Sequence, residues 1–177
     1  SFRHALSCAR EGGEVLQQAA ALVGLGLVLL EAGKSQVDVA IEALKRGQGV
    51  LSELLSDVGS LETLRVELLS QVMLCARALQ IALLQRASPA DLTEALSIAI
   101  QAQATDTIIA MGEARVLPWD ELEDDLDTSP MTWPELQALA VQTACGVLVY
   151  SLLDDHGTLA VWAWTAGQPA PSVRVVE

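Results

Sequence analysis

The side chains of this 177-residue chain most able to perform nucleophilic or metal chemistry are its three cysteines and two histidines. Cys8, Cys75 and Cys145 are odd in number, lie far apart and show no C-x-x-C spacing. A disulfide framework or a zinc site needs paired ligands at short spacing, so we predict neither. His4 is a lone imidazole without further ligands near it. Unpaired cysteines are typical of a reducing compartment, and we expect an intracellular, cytoplasmic protein.

Carboxylates are concentrated in the segment WDELEDDLDTSP, where six acidic residues fall within positions 120–127. A calcium-binding EF-hand loop needs D-x-D-x-D-G spacing, with a glycine at its turn, and the segment lacks both. We interpret it as a solvated acidic linker, with a site for a cation or a basic partner as the alternative. The sequence predicts no metal and no cofactor.

A glycine-containing apolar stretch occupies residues 19–30. It does not match the dinucleotide-binding pattern G-x-G-x-x-G, because Leu29 stands where the third glycine is required after Gly24 and Gly26. As a helix, the stretch would extend about 18 Å, whereas a hydrocarbon core needs about 30 Å. We therefore expect neither a dinucleotide loop nor a membrane span. A helix that is apolar on all sides is stable when neighbouring helices cover several of those sides.

The charge balance excludes several classes of partner. Ten basic against 23 acidic residues give a net charge of -13, which repels phosphate backbones and anionic lipid surfaces. Nucleic acid and membranes are therefore not expected partners. The 51% content of hydrophobic residues is enough for a sizeable core. Because the chain opens on Ser1 and lacks a signal-peptide pattern, we interpret it as part of a longer protein.

Helical periodicity runs through residues 1–112. We predict a short helix to about residue 10, followed by helices at about 14–31, 36–56, 62–86 and 89–112. Two residue pairs can accept hydrogen bonds from the first free N–H groups of a helix, namely Ser35 with Asp38 and Ser88 with Asp91. Each such cap stabilises a helix by about 1 kcal/mol. Gly33 is expected to end a helix. Such short connections favour antiparallel helix pairs.

The periodicity changes after the acidic linker. Thr132 and Glu135 form a T-x-x-E capping box that predicts a helix over about 134–143. The runs GVLVYSLL and TLAVWAW, separated by DDHG, then predict a β-hairpin, and SVRVVE adds a third strand.

The predicted hairpin has two apolar faces. Trp162 and Trp164 share one face, while Leu159, Val161 and Ala163 lie on the other. Either the tryptophans mark a binding surface or they belong to a core. Strands this continuous in apolar residues are typical of a sheet covered on both sides, and we expect the second cover to lie downstream of this chain.

The helical part resembles the tetratricopeptide repeat (TPR), a helix-turn-helix unit in which small residues let two helices approach closely. The residues that carry the match are Leu25 and Gly26 for the Leu-Gly pair, Gly33 for the turn, and Ala40, Leu44 and Gly47 for the small-large-small pattern of the second helix. Leu22 and Leu29 stand at aromatic places, and the turn is two residues longer than in the standard repeat. The resemblance implies an α-solenoid over residues 1–112, with Gly26 and Gly47 at helix–helix contacts.

The order of the remaining segments resembles the beginning of a CHAT domain, the caspase-like module found after TPRs. The stretches that carry this resemblance are TWPELQALA and CGVLVYSLLDDHGTLAVWAW. It implies an acidic linker at 113–131, and it makes residues 132–177 the first helix and strands of an incomplete α/β domain. The expected fold class is thus mainly α, with TPR-like hairpins followed by a short α+β segment.

The CHAT family is associated with a His/Cys peptidase dyad, so Cys145 and His156 need examination as nucleophile and base. The predicted hairpin puts Cys145 just before its first strand and His156 at its turn. About seven residues at ~3.3 Å separate them by roughly 20 Å, too far for a proton transfer over ~3 Å. No catalytic residue is therefore predicted. We expect Cys145 to be buried, His156 to be an exposed turn residue, and Cys8 and Cys75 to be core thiols.

Two functions stay open, besides a helical domain with an unrelated β-appendage. The first is a non-catalytic protein–protein interaction scaffold, a TPR array coupled to a downstream CHAT module, which binds a protein or peptide in its groove. By the resemblance, four residues face that groove: Ala20, Val23, Leu27 and Glu31. The second is the regulatory part of a caspase-like cysteine peptidase. A His and a Cys, each following a core strand beyond residue 177, would favour it.

Overall fold

The computed structural model describes residues 2–57, 62–113, 131–154 and 156–176, and describes side chains over 14–57, 67–105, 131–154 and 156–176. This part of the chain is mainly helical, with one small antiparallel sheet. The elements are α1 (Phe2–Glu31), α2 (Val37–Asp57), α3 (Glu62–Arg86), α4 (Pro89–Glu113), α5 (Trp133–Thr143), β1 (Val147–Leu152), β2 (Leu159–Trp164) and β3 (Ser172–Val176).

Two compact units make up the chain, Ser1–Ala78 and Leu79–Glu177, with the boundary inside α3. The predicted division into 1–112, 113–131 and 132–177 stays a prediction. The acidic run at 120–127 and the side chains of His4 and Cys8 lie outside the described parts.

The predicted helices are confirmed with one exception. The bounds of α2 to α5 agree with the expected ones to within one residue. The expected break near Gly12 and Gly13 is wrong, because α1 is one 30-residue helix. A glycine inside a helix costs only about 1 kcal/mol relative to alanine, whereas a proline would interrupt the hydrogen bonds. Two glycines without a proline therefore do not end this helix.

A glycine turn ends α1, as predicted. Gly33 has a φ of +105°, in the region that favours glycine, and its N–H donates to the Leu30 carbonyl at 3.2 Å. A single 3-10 turn, Lys34–Gln36, then leads into α2. The helices are thus joined by a short connection, and α2 packs along α1.

The connection between α3 and α4 is shorter still. Ala87 adopts a left-handed conformation with a φ of +55°, and its N–H donates to the Leu83 carbonyl at 2.9 Å. The predicted cap of α4 is confirmed, since the Asp91 N–H donates to Ser88 Oγ at 3.2 Å and the Ser88 N–H to Asp91 Oδ2 at 3.1 Å. This reciprocal pair fixes the start of α4.

The three strands form one sheet in the order β1-β2-β3, with antiparallel pairing throughout. The predicted hairpin and third strand are therefore confirmed. In the register, Val149 lies opposite Trp162, and Trp162 lies opposite Val173. At the hairpin turn, Asp154 Oδ1 accepts hydrogen bonds from the N–H groups of His156, at 2.9 Å, and Thr158, at 3.0 Å.

One face of the sheet is buried, and we call it the inner face. Its residues include Val149, Ser151, Ala160, Trp162 and Trp164, all buried. Trp164 packs edge-on against Trp133 of α5, with ring centroids 5.4 Å apart. The two strand tryptophans are therefore core residues, which settles the alternative left open by the sequence.

The opposite, outer face is apolar and exposed. Leu148, Tyr150 and Leu152 of β1 are 56%, 51% and 40% exposed. On the neighbouring strands, Val161 is half-buried and Val176 is exposed. Within the described residues, only the inner face of the sheet is covered, and the expected second cover downstream stays a prediction.

Candidate functional site

Small residues set the distance between α1 and α2. A methyl group built on Gly26 would lie 2.5 Å from Leu44 Cγ, and Leu44 is fully buried. A methyl group on Gly47 would lie 3.2 Å from Val23 Cγ2 and 3.4 Å from Leu22 Cβ. Both glycines are therefore contact points between the helices, as the sequence predicted.

The four residues proposed to face a groove do not form one exposed row. Ala20 and Glu31 are exposed, and Leu27 is half-buried. Val23 is only 1% exposed and lies against the Gly47 contact, so the expectation that it faces a groove is wrong. Val23 is buried because α2 packs on that side of α1. Ala20, Leu27 and Glu31 therefore remain the candidate partner-binding residues.

α1 also exposes large apolar side chains. Leu25 and Val28 are 49% and 62% exposed, three positions apart and hence on one side of the helix. The expectation that this apolar helix is covered on several sides is wrong, since Ala19, Val23 and Gly26 form its only fully buried positions between residues 14 and 31. Leu25 and Val28 thus form an exposed apolar patch at positions where the sequence predicted packing against neighbouring helices.

Length and composition allow two membrane-spanning helices in the described residues, Glu14–Glu31 and Glu67–Arg86. Residues 19–30 alone are too short to span a bilayer, whereas the wider window also takes in polar residues such as Gln17 and Gln18. The second window is 56% buried, as in a core helix, and the first is 17% buried. The expectation that no membrane is bound stays a prediction.

The thiol and the imidazole examined as a dyad lie at opposite ends of β1. Cys145 precedes the strand and His156 follows it, in the turn closed by Asp154. His156 is exposed, as predicted. The prediction that Cys145 is buried is wrong, because the residue follows the left-handed Ala144 at the exposed end of α5. The six-residue strand holds these two groups about 20 Å apart at ~3.3 Å per residue.

Cys75 is a core thiol, as predicted. Its side chain is fully buried in α3, and Sγ donates to the Leu44 carbonyl at 3.3 Å. Burial disfavours the thiolate and raises the pKa of Cys75 to about 11.

We expect Cys75 and Cys145 to differ strongly in their reactivity towards an alkylating reagent. At pH 8, only about one thousandth of a thiol with such a raised pKa is thiolate, and Cys75 is also inaccessible. Iodoacetamide should therefore alkylate Cys145 of the folded protein long before Cys75. Mass spectrometry of the two peptides measures both rates, and comparable rates would contradict the buried placement of Cys75. Labelling in denaturant is the control and should equalise them.

A buried polar pair lies between α3 and the inner face of the sheet. Gln80 is fully buried, and its Oε1 accepts a hydrogen bond from the Ser151 hydroxyl at 2.6 Å. Both residues interrupt otherwise apolar positions, and sequence periodicity assigned no role to either. The hydrogen bond therefore aligns α3 with β1 in the second unit.

Breaking this pair should be costly, whereas replacing it whole should not. Ser151→Ala leaves the Gln80 carbonyl buried without its donor, so we expect a loss of about 1–3 kcal/mol in the free energy of unfolding. The double variant Gln80→Leu/Ser151→Ala removes both partners and should recover most of that loss. Urea unfolding of the four proteins of this cycle measures the coupling, and additive effects would show that the bond is unimportant.

No group of three potential metal-ligating side chains occurs among the described residues. No family model, curated protein or solved structure matches this chain. The candidate site is therefore a set of surfaces defined by geometry alone, namely the exposed side of α1 and the strands beside α3.

Proposed function

We propose that this chain is a non-catalytic protein–protein interaction scaffold, in which TPR-like helical hairpins lead into the first strands of a CHAT-like domain. It binds a protein or peptide partner through the first helix of a hairpin. Ala20, Leu27 and Glu31 stay candidate contacts, and Leu25 and Val28 join them.

The observation that supports this proposal is the contact of α1 with α2. Gly26 lies against Leu44, and Gly47 lies against Val23, so two helices approach closely through residues at the positions where the TPR pattern has them. The tight connections at Gly33 and Ala87 are those of helical hairpins. Such hairpins present one helix to a neighbouring repeat or to a partner.

The exposed side of α1 is suited to an apolar partner surface. Ala21, four positions before Leu25 and therefore next to it on the helix surface, is also exposed. Burying an aliphatic side chain of this size in a complex contributes about 1.5–3 kcal/mol. The partner surface should accordingly be apolar, with basic residues that match the net charge of -13.

A paired capture experiment tests the function. The full chain, immobilised, should retain the same proteins from an extract in repeated runs, and Leu25→Asp/Val28→Asp should release them, because a charge would be buried in the complex. Val39→Asp is the matched control, since Val39 of α2 is 51% exposed and lies on the other helix. Circular dichroism should show unchanged helicity in all three proteins.

Retention that is identical for the wild type and the α1 variant would overturn the assignment of this surface. Equal loss of retention in the Val39→Asp control would show that the loss is not specific to the α1 surface and would equally overturn the assignment.

The alternative, a regulatory part of a caspase-like peptidase, locates its dyad outside this chain. Cys145 and His156 cannot form that dyad themselves, because the six-residue strand β1 separates them.

A further inference from the structure

The side of α1 that points away from α2 carries an exposed apolar row, which we call the α1 stripe. Ala21, Leu25 and Val28 follow one another by four and three residues, so they lie on one side of the helix, and all three are exposed. α2 contacts α1 at Val23, two positions after Ala21 and therefore about 160° around the helix from it. The α1 stripe is thus turned away from the α1–α2 contact.

Gly24 leaves room for a second helix to approach the α1 stripe closely. It immediately precedes Leu25, and a methyl group built on it would meet no atom within 4 Å. At Gly26, by contrast, Leu44 of α2 fills the corresponding space. Because glycine has no Cβ, a helix that crosses α1 at Gly24 can come as near to it as α2 does on the other side.

The charges around Gly24 make this segment complementary to itself when it is reversed. Glu14 precedes Gly24 by ten residues and Lys34 follows it by ten, and both side chains are exposed. Between them, Glu31 is the only other charged residue, and reversal about Gly24 brings it opposite the uncharged Gln17. Such reversal is the symmetry of a two-fold dimer, in which each surface meets its own copy.

We propose that a second copy of this chain packs on the α1 stripe, with the two α1 helices antiparallel and crossing at Gly24. Glu14 of each copy then lies near Lys34 of the other. A parallel pair would place Glu14 against Glu14 and Lys34 against Lys34, so electrostatic repulsion selects the antiparallel arrangement. The dimer uses the same side of α1 as the proposed partner protein but does not depend on that function, and the two occupants compete.

The expected dimer is weak, because its interface is small. Glu14–Glu31 comprises 18 residues, or about 27 Å of helix. At a helix width of about 10 Å, two copies bury roughly 600 Å², half of the about 1,200 Å² at which stable complexes begin. The net charge of -13 opposes association, although residues 1–36 contain three basic and three acidic residues and are neutral.

Charge reversal tests the antiparallel pairing. Glu14→Lys and Lys34→Glu each turn both attractive contacts into repulsive ones, so sedimentation equilibrium of the full chain should show self-association weakened roughly tenfold. The double variant Glu14→Lys/Lys34→Glu should restore it, and a mixture of the two single variants should form heterodimers. Glu53→Lys is the matched control, since Glu53 is an exposed residue of α2 and its replacement makes the same change in net charge.

The control also excludes a general charge effect. Glu14→Lys and Glu53→Lys both make the chain less acidic, so non-specific repulsion alone would let both variants associate more readily than the wild type. The proposed pairing predicts the opposite result for Glu14→Lys alone.

Cross-linking tests the crossing point. In a chain with Cys8→Ser and Cys145→Ser, Gly24→Cys should form an intermolecular disulfide on mild oxidation, because the two Cβ atoms must come within about 3.5–4.5 Å. Gly49→Cys is the control, since a methyl group built on Gly49 of α2 also meets no atom within 4 Å. It should remain uncross-linked, and the buried Cys75 should not react in either protein.

Three results would overturn the proposal: a monomer at concentrations up to about 1 mM, a dimer unaffected by either charge reversal, and equal cross-linking at positions 24 and 49. Binding to vesicles of neutral lipid without self-association would overturn it too and would show that lipid covers the α1 stripe. A monomer that still captures proteins from an extract through Leu25 and Val28 would reject the dimer alone and leave the proposed function intact.

Discussion

Replacement of Gly26 by alanine should destabilise the α1–α2 pair by about 1–3 kcal/mol, the usual cost of overpacking a filled core. The added methyl group would lie 2.5 Å from Leu44 Cγ and 2.6 Å from Cδ2. Leu44 is fully buried, so its branch point cannot move away without displacing α2. The clash thus outweighs the stabilisation of about 0.5–1 kcal/mol that alanine gives over glycine inside a helix.

Gly24 is the matched control, two residues away on the same helix. A methyl group built there meets no atom within 4 Å, so Gly24→Ala should stabilise the protein by the propensity gain alone. Thermal unfolding followed by circular dichroism at 222 nm measures both variants. A melting temperature that rises for Gly26→Ala as it does for Gly24→Ala would mean that α1 and α2 do not pack at this point.

Replacement of Asp91 by asparagine should cost about 2–3 kcal/mol at neutral pH. The carboxylate is 3% exposed, caps α4 with Ser88, and accepts hydrogen bonds from Arg86 Nε at 2.9 Å and from Arg86 Nη2. A hydrogen bond to a charged group contributes about 1.5–3 kcal/mol and a cap about 1 kcal/mol. Because the Arg86 side chain is 40% exposed, water screens part of the ion pair, and we expect the lower half of the sum.

The pH dependence identifies the ionised carboxylate as the cause. Hydrogen bonds and the charge of Arg86, led by its side-chain hydrogen bond, hold the pKa of Asp91 far below that of an unfolded chain, about 3.9. The folded state thus gains stability from Asp91 above pH 4 and loses it as the pH falls below that value. The gap between wild type and Asp91→Asn in urea unfolding should be constant from pH 5 to 8 and shrink below pH 4.

Ser88→Ala is the control for the cap, because it removes the hydroxyl acceptor of the Asp91 N–H and leaves the Arg86 contact. Its effect should be about 1 kcal/mol and should depend on pH less strongly than that of Asp91→Asn, because the Ser88 hydroxyl lowers the pKa of Asp91 less than Arg86 does. An equal, pH-independent loss in both variants would assign the whole effect of Asp91 to capping.

Local patterns predicted most of the fold. The α4 cap was readable because Ser88 and Asp91 are three residues apart, and the hairpin because two apolar runs of strand length, rich in β-branched and aromatic residues, flank a turn. Both depend on interactions between near neighbours in sequence. The predicted end of a helix at Gly12 and Gly13 failed for the opposite reason, since glycine only weakens a helix and the rest of the chain decides whether it ends.

The candidate site was less predictable because exposure depends on distant packing. Val23 and Leu25 are similar residues two positions apart, yet one is buried by α2 and the other is exposed. Cys145 was assigned to a core from its residue type, while its exposure follows from the left-handed end of α5. Gln80 carried no signal, because only the folded chain brings it to Ser151, 71 residues away.

The side chain of Gln103 protects one flank of the sheet at a single backbone position. Its Nε2 donates a hydrogen bond to the Tyr150 carbonyl, one backbone acceptor of β1. A sheet open at both flanks can polymerise without limit into fibrils, since every added strand exposes a new template. On the flank of β1, a backbone N–H from another molecule reaches the Tyr150 carbonyl only by displacing Gln103, so this contact disfavours pairing at that position.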